Sequence, residues 1–261
     1  MTMGGSVAWC REGRVARVEL AHPGRLNAIT VAMWQGLRDV FVQIAADPQI
    51  HCVILRGADG NFAAGADIRE FAHQRNDLPS VMNYHRGMLA PALAAIAQCP
   101  QPVVAQIEGV CVGGGLEIAA QCDIRIACCD ARFGAPINRL GFPMAPDEMK
   151  GLLALLGPAN TLAVLLEGRV FDAAEALRLG LLTRVAAPGC LNSTVQASVD
   201  HILAGAPDAA RRNKRLVRRL QQGTPLSEAE YLDFFSYADS HDHREGVRAF
   251  LAGEQPIFNG D

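Results

Sequence analysis

In the first part of the chain, segments with the hydrophobic spacing of strands alternate with segments that have the spacing of helices. The segment RVARVELA at 14–21 alternates as a half-buried strand does. Residues 31–47 carry apolar side chains at helical spacing, and Thr30 is placed to cap the helix that they predict. A continuous apolar run at 50–57 predicts a buried strand, and a glycine-rich loop follows it.

The same alternation continues through the middle of the chain. Asp67 predicts the cap of a short helix, and an amphipathic stretch follows at 81–99. Further strands are predicted at 101–109 and 122–129, and a glycine run and a helix separate them. Because strands, loops and helices alternate, the pattern predicts an α/β fold with sites where strands pass into helices.

The last part of the chain has a different pattern. From about residue 143 the sequence is mostly helical, and after about residue 200 it consists of charged amphipathic segments. We therefore expect a core in residues 1–200 and a helical region in residues 201–261.

Composition and charge narrow the class of protein. The chain has 261 residues, of which 50% are hydrophobic, and a formal net charge of −3 gives no drive toward nucleic acid or anionic membranes. Polar breaks interrupt the apolar runs, and the amino terminus lacks the apolar centre of a signal peptide. The eight cysteines form no C-x-x-C pair. We expect a cytoplasmic protein without a membrane span or a zinc site.

Three consecutive glycines, residues 113–115, stand just before Glu117. Glycine lets the backbone approach a ligand closely, and a helix start offers unpaired N–H groups with partial positive charge. Such a junction suits a phosphate or a developing oxyanion, although a tight packing turn explains the glycines equally well. Ile118 breaks the dinucleotide pattern, and the Gly-Lys-Ser/Thr of a P-loop is absent from the sequence.

A second loop, NFAAGADIRE at 61–70, repeats the design of small residues, a glycine and a capped helix. Two such loops can each aim one N–H at a shared carbonyl oxygen, and each donor typically contributes roughly 3 kcal/mol to the transition state. Glu117 is flanked by apolar residues, so burial would raise its pKa toward that of a general base. The helix N-terminus would act in the opposite direction.

These segments together resemble the enoyl-CoA hydratase/isomerase (crotonase) superfamily. The matching segments, in order over nearly the whole chain, are RLNAI at 25–29, FAAGADIREF at 62–71, IEGVCVGGGLEIAAQCDIRIA at 107–127, RFGAP at 132–136, GLLTRV at 180–185 and EGVRAFL at 245–251. The resemblance implies a crotonase-like spiral of ββα units with a C-terminal helical trimerisation region. It also implies a homotrimer or a hexamer, and an acyl-CoA substrate that brings its own coenzyme A, with no further cofactor.

The resemblance assigns roles to particular residues. The backbone N–H groups of Ala66 and Gly114 would hold the thioester oxygen, and Glu117 would move the proton. Arg25 and Ala28 would lie near the nucleotide or pantetheine part of CoA. The other residues expected to contact the substrate are Ala64, Asp67, Ile68, Ile137 and Leu140.

One departure from the family pattern bears on the reaction. Hydratases of the family read Phe-Gly-x-Pro-Glu, whereas this chain has Ile137 in the place of the glutamate. One carboxylate suffices to shuttle a proton between carbons, but hydration is best served by two. Isomerase or one-base lyase chemistry is therefore favoured over efficient hydration. Asp147 or Glu148 would supply a second acid, but helix capping is the favoured interpretation of both.

Three further interpretations depend on the fold. The basic segment RRNKRLVRR at 211–219 is expected to be a solvated helix face with Leu216, Val217 and Leu220 packed inward, and it lacks the aromatic residues typical of RNA binding. The alternative function is a crotonase-fold binding protein with weak or no catalysis that binds RNA.

The two histidines of HDH at 241–243 do not share a helix face, which disfavours a metal site. Five apolar residues either line an acyl pocket or belong to the core: Phe71, Met82, Met88, Leu140 and Phe142.

Overall fold

Strands and helices alternate through most of residues 4–260, which are the residues that this computed structural model describes. The strands are β1 Ser6–Glu12, β2 Val15–Ala21, β3 Cys52–Gly57, β4 Val103–Ile107, β5 Val110–Val112, β6 Ile124–Cys128, β7 Arg132–Gly134, β8 Val170–Asp172 and β9 Arg184–Ala186. The α-helices are α1 Val31–Ala46, α2 Phe71–Gln74, α3 Leu78–Met82, α4 Ala90–Gln98, α5 Gly114–Gln121, α6 Pro146–Glu167, α7 Ala173–Arg178, α8 Leu191–Leu203, α9 Pro207–Leu220, α10 Glu228–Phe235 and α11 His241–Ala252. Shorter turns are the 3₁₀ helices Ile68–Glu70, Pro136–Leu140 and Ser236–Asp239 and a π-helical stretch at Asn83–Leu89.

The strands form two sheets between which the chain passes back and forth. The larger sheet has the order β1-β2-β3-β4-β6-β9, and its pairs are parallel except for β1 with β2. The smaller sheet has the order β5-β7-β8. Thus β4 joins the large sheet, β5 joins the small sheet, α5 follows, and β6 and β7 repeat the step. This repetition of ββα units confirms the predicted α/β class.

The central strands of the larger sheet carry apolar residues on both faces because helices pack against both. Val53 and Leu55 of β3 belong to the main core with α1, α4 and α5, whereas Ile54 faces α8 on the other side. A strand covered on both faces has a continuous apolar run instead of an alternating one. The predicted strands at 50–57, 101–109 and 122–129 are confirmed as β3, β4 and β6.

Two predicted helix caps are confirmed, whereas two helices and one strand differ from the prediction. The Thr30 side chain accepts a hydrogen bond from the Met33 N–H at 3.2 Å, and Asp67 accepts one from the Arg69 N–H at 3.1 Å. The helix that follows Asp67 is only a 3₁₀ turn and the four residues of α2. The helix expected over 81–99 divides into α3, the π-helical stretch and α4. Strand β1, an exposed edge strand, was not predicted.

The basic helix α9 has the opposite orientation to the one expected. Val217 and Leu220 are 58% and 54% exposed, so the prediction that they pack inward is wrong, while Leu216 is half-buried. Lys214 and Arg218 instead reach Asp123 next to β6, at 2.6 Å and 2.9 Å. A partly buried carboxylate at the start of a strand needs cations, and α9 supplies them.

Helix α6 satisfies the length and composition of a membrane span, with a mean hydropathy of 1.5 over its best window. Its backbone is broken at Gly157, where φ is 67° and ψ is 173°. Leu152 and Leu156 before the break and Val164 after it are buried in the main core. One such helix is weak support for a span, so the absence of a membrane span stays a prediction.

The carboxy-terminal region exposes several large apolar side chains. Leu232, Phe250, Leu251 and Ile257 are between 66% and 85% exposed. Asp242 of the HDH segment is buried and accepts hydrogen bonds from the Asn259 and Gly260 N–H groups at 2.8 Å and 3.0 Å. Within residues 4–260, no group of three His, Cys, Asp or Glu side chains is placed to hold a metal ion. The division expected at residue 200 falls inside α8.

Alanine substitutions at two helical glycines should change the free energy of unfolding in opposite directions. A Cβ at Gly115 in α5 would collide with the Ala63 carbonyl oxygen and lie 2.9 Å from the Ala63 Cβ, so G115A should lower the free energy of unfolding by about 1–3 kcal/mol. A Cβ at Gly36 in α1 would meet Val7 at an ordinary 3.5 Å, so G36A should raise it by about 0.5–1 kcal/mol. Urea unfolding of both variants measures this, and stabilisation by G115A would contradict the packing argument.

Candidate active site

Backbone hydrogen bonds join the loop after β3 to strand β5. The Ala63 N–H donates to the Val110 carbonyl at 2.9 Å, and the Val112 N–H donates to the Ala63 carbonyl at 3.1 Å. The loop then turns through Gly65, whose φ of +92° favours glycine. These bonds hold the loop against the start of α5, as the similar design of the two glycine loops predicted.

Two backbone N–H groups lie side by side at this junction. A Cβ built on Gly114 would be 3.4 Å from the Ala66 nitrogen and 3.1 Å from the Trp34 ring. The neighbouring N–H groups are bonded, since Gly113 donates to Gly134 and Asp67 donates to Ile29, each at 2.9 Å. In the described chain the N–H groups of Ala66 and Gly114 have no such acceptor. Two adjacent free donors at a helix N-terminus can stabilise one developing oxyanion.

The two donors border a cavity of about 100 Å³. This is smaller than the roughly 150 Å³ cavity known to hold benzene, so it suits a short acyl group. Seven of the residues predicted from the sequence line it: Ala64, Ala66, Ile68, Gly114, Glu117, Ile137 and Leu140. Phe71 and Phe142 add to its apolar wall, as the pocket interpretation of these residues expected.

The other predicted contacts lie outside this cavity. Asp67 is buried and pairs with the Arg69 guanidinium, which holds the pKa of Asp67 below its usual range. Arg25 is exposed, and the Ala28 carbonyl oxygen lies 2.7 Å from His22 Nδ1. The CoA contacts assigned to Arg25 and Ala28 therefore stay predictions. Met82 is 45% exposed and lies neither in the cavity nor in the core.

Glu117 brings a carboxylate into the cavity from the first turns of α5. It is 5% exposed, and within residues 4–260 its side chain forms no hydrogen bond or ion pair. Burial raises the pKa of Glu117 well above its ordinary 4.5, the carboxylate of Glu148 raises it further, and Arg75 opposes the rise. The raised pKa makes Glu117 a better proton acceptor than an ordinary carboxylate, which is what proton exchange with a substrate carbon needs.

Glu148 is a second carboxylate in the same cavity. It is 3% exposed, and its Oε1 lies 2.5 Å from Nδ1 of His85 in the π-helical stretch. The favoured interpretation of Asp147 and Glu148 as caps is wrong, because α6 begins after Ala145 without a side-chain cap. Asp147 instead pairs with Lys150 at 2.6 Å on the surface. Sequence reasoning did not assign His85, which lies 63 positions from its partner and carries no local signal.

Arg75 is the third charged side chain that lines the cavity. Its guanidinium carbon lies 3.9 Å from the centre of the Phe71 ring, 4.2 Å from that of Tyr84 and 4.9 Å from that of Phe142. Its Nε is buried, and no hydrogen-bond partner is found for it in the described chain. The sequence assigns no role to Arg75, because nothing in its neighbourhood marks it as a cavity residue.

Comparisons with known proteins show the family and the fold of this chain. The family model for enoyl-CoA hydratase/isomerase matches residues 11–261. A probable enoyl-CoA hydratase of Rhizobium meliloti is 31% identical, covering 95% of each chain, and a short-chain-enoyl-CoA hydratase of Clostridium acetobutylicum is 33% identical, covering 92% of each. A crystal structure of an enoyl-CoA hydratase/carnithine racemase from Magnetospirillum magneticum aligns with a TM-score of 0.95 at 42% identity, covering 98% of this chain and 96% of that one. The predicted crotonase-like fold is thereby confirmed.

The buried Glu117 should make stability depend on pH. Its raised pKa means that the folded protein binds this proton more tightly than the unfolded chain, so the wild type loses stability as pH rises above 4.5 through the raised value. We therefore expect the free energy of unfolding of E117Q, relative to that of wild type, to be higher at pH 8 than at pH 5, because the amide does not titrate.

Urea unfolding of wild type and E117Q between pH 5 and pH 8 measures the effect. Glu108 is half-buried and forms no ion pair with the other described residues, so E108Q is the matched control and should show a difference that is flat with pH. An equally flat difference for E117Q would contradict the raised pKa.

Proposed function

The chain belongs to the enoyl-CoA hydratase/isomerase family, and from that premise we propose that it acts on short-chain enoyl-CoA thioesters through a stabilised enolate. The observation that carries the proposal is the convergence of two free backbone N–H groups, Ala66 and Gly114, with the buried carboxylate of Glu117 on one small cavity. A cavity of about 100 Å³ supports a short acyl group.

The two N–H groups are proposed to hold the thioester carbonyl oxygen. As the substrate becomes an enolate, negative charge develops on that oxygen, and donors fixed in advance stabilise it without reorganisation. Gly114 begins α5, so the partial positive charge of the helix N-terminus adds to the stabilisation. The surrounding apolar wall strengthens both effects because it excludes water.

The reaction proposed first is reversible hydration of a 2-enoyl thioester. A water oxygen bonds to C3, the electrons of the C2–C3 double bond move toward the thioester oxygen, and C2 then takes up a proton. Glu117 donates this proton, while Glu148 accepts one from the water. An ionised Glu148 is an acceptor only, so the His85 Nδ1 donates to it and orients it. Glu148 thus supplies the second carboxylate, which is missing from the family motif because Ile137 stands in the place of the glutamate.

A specific observation favours a second candidate, double-bond isomerisation by one base. Ile137 presents an apolar wall in the cavity, and Glu148 is already engaged by His85. Glu117 then remains as the carboxylate without a partner among residues 4–260, and it can carry a proton between C4 and C2 of a 3-enoyl thioester. A one-base lyase step that passes through the same enolate uses the same groups.

Assembly as a trimer, or as a hexamer of two trimers, is part of the proposal. The exposed apolar side chains of the carboxy-terminal helices, among them Phe250 and Leu251, support it because large apolar patches on a single chain mark interaction surfaces. Coenzyme A enters as part of the substrate, with Arg25 and Ala28 near it, and the protein acts in the cytoplasm.

Glu117 is the first residue to test. E117Q should lower kcat by about 10²–10⁴-fold with little change in KM, because the amide keeps the shape of the side chain but cannot transfer the proton. The measurement is the absorbance of the conjugated enoyl thioester, with 2-butenoyl-CoA and 3-butenoyl-CoA as substrates. E108Q should keep wild-type rates, and a fully active E117Q would defeat the proposed mechanism.

Glu148 separates the two candidate reactions. E148Q should lower the hydration of 2-butenoyl-CoA by about 10²-fold or more and leave the isomerisation of 3-butenoyl-CoA within a few-fold of wild type, since only hydration needs the second carboxylate. D147N changes the neighbouring exposed acid and serves as the matched control. If wild type shows isomerisation alone, the one-base reaction is the correct one, and hydration unaffected by E148Q would remove Glu148 from the mechanism.

A further inference from the structure

Arg75 is a cation at the wall of the cavity without an ion-pair partner among residues 4–260. Many other arginines of the described chain pair with carboxylates; Arg69, Arg169 and Arg219, for example, pair with Asp67, Glu175 and Glu230. Arg75 is instead held by aromatic rings, with Phe71 and Tyr84 within 4.2 Å of its guanidinium carbon. Its buried Nε lacks an acceptor in that part of the chain.

An unsatisfied donor of a buried guanidinium carries a free-energy cost unless a ligand supplies the acceptor. Aromatic rings contact the face of a guanidinium, and its N–H groups lie in the plane, so stacking leaves these donors available. The geometry of the donors matches the two oxygens of a carboxylate. Arg75 therefore has the properties of an anion-binding residue that is fixed in place before the ligand arrives.

The two glutamates of the cavity do not already provide that anion. Glu148 is within hydrogen-bonding distance of His85, and Glu117 forms no ion pair with Arg75. Burial raises the pKa of Glu117, which favours its neutral form. Neither carboxylate therefore forms a direct ion pair with the guanidinium, and a negatively charged ligand group can take that position.

We propose that Arg75 binds a carboxylate carried by the acyl group, so that the preferred substrates are CoA thioesters of short dicarboxylic acids. This inference rests on the proposed function, because it takes the cavity to be the acyl site. Phe71 and Phe142 belong both to the cavity wall and to the rings around Arg75, which places the guanidinium at the wall of the cavity taken here as the acyl site.

Binding of two saturated thioesters tests the inference without requiring any reaction. Isothermal titration compares glutaryl-CoA with pentanoyl-CoA, which have acyl chains of the same length but differ in the terminal carboxylate. Wild type should bind glutaryl-CoA at least about tenfold more tightly, since a charge-assisted bidentate pair in a partly buried site exceeds a neutral contact by that factor or more. R75M should abolish the preference, and R75K should retain only part of it.

Arg86 is the matched control, because it is exposed, lies close in sequence and is not paired within residues 4–260. R86M should bind both thioesters as wild type does. Equal affinities in wild type, or a preference that survives in R75M, would overturn the inference. If R75M does not fold by circular dichroism, a full glutaryl-CoA preference in R75K would overturn it instead.

The same titrations separate this inference from the proposed function. A protein that turns over 2-butenoyl-CoA but shows no glutaryl-CoA preference keeps the enolate mechanism and loses the role of Arg75. A protein that prefers glutaryl-CoA through Arg75 but turns over neither butenoyl thioester keeps the carboxylate site and loses the proposed reaction. Failure of the folded wild type both to bind the saturated thioesters and to turn over the butenoyl thioesters overturns both.

Discussion

The site depends on the backbone pairing between the loop after β3 and strand β5. Ala63 exchanges hydrogen bonds with Val110 and Val112, and the close approach leaves no room for a side chain at Gly115. This pairing fixes the Ala66 N–H beside the N-terminus of α5. The other cavity residues lie around these two fixed backbone segments, the Ala66 loop and the start of α5. Their fixed position matters because a donor that must move to meet an oxyanion loses much of its stabilising effect.

The parts of this arrangement that are local in sequence could be predicted. The glycine run, the second glycine loop and the strand that precedes each one all lie within short segments, and the position of Glu117 follows from them. The residues missed are those that reach the cavity from distant segments. Nothing near His85 or Arg75 indicates that a π-helical stretch and the end of α2 would bring them next to α5 and α6.

The basic helix shows a second limit of prediction from periodicity. A hydrophobic pattern identifies the apolar face of α9, but it does not say whether that face meets the core or the surface. Here Asp123 sets the orientation of α9, because it pairs with Lys214 and Arg218 and holds the cationic face of the helix inward. These ion pairs also use cations that an RNA-binding surface would need, which weighs against the alternative of an RNA-binding protein.

The cavity combines two carboxylates, one imidazole and one guanidinium in a small and largely apolar space. Burying that many ionisable groups is unfavourable unless each charge is balanced, and the structure balances only part of them. Glu148 has His85, whereas the Glu117 carboxylate and the buried Nε of Arg75 remain without hydrogen-bonded partners within residues 4–260. Unpaired buried polar groups lower the stability of the fold, so a ligand that contacts them gives the best explanation of both groups. A thioester whose acyl group takes a proton near Glu117 and presents an anion to Arg75 would satisfy both groups at once.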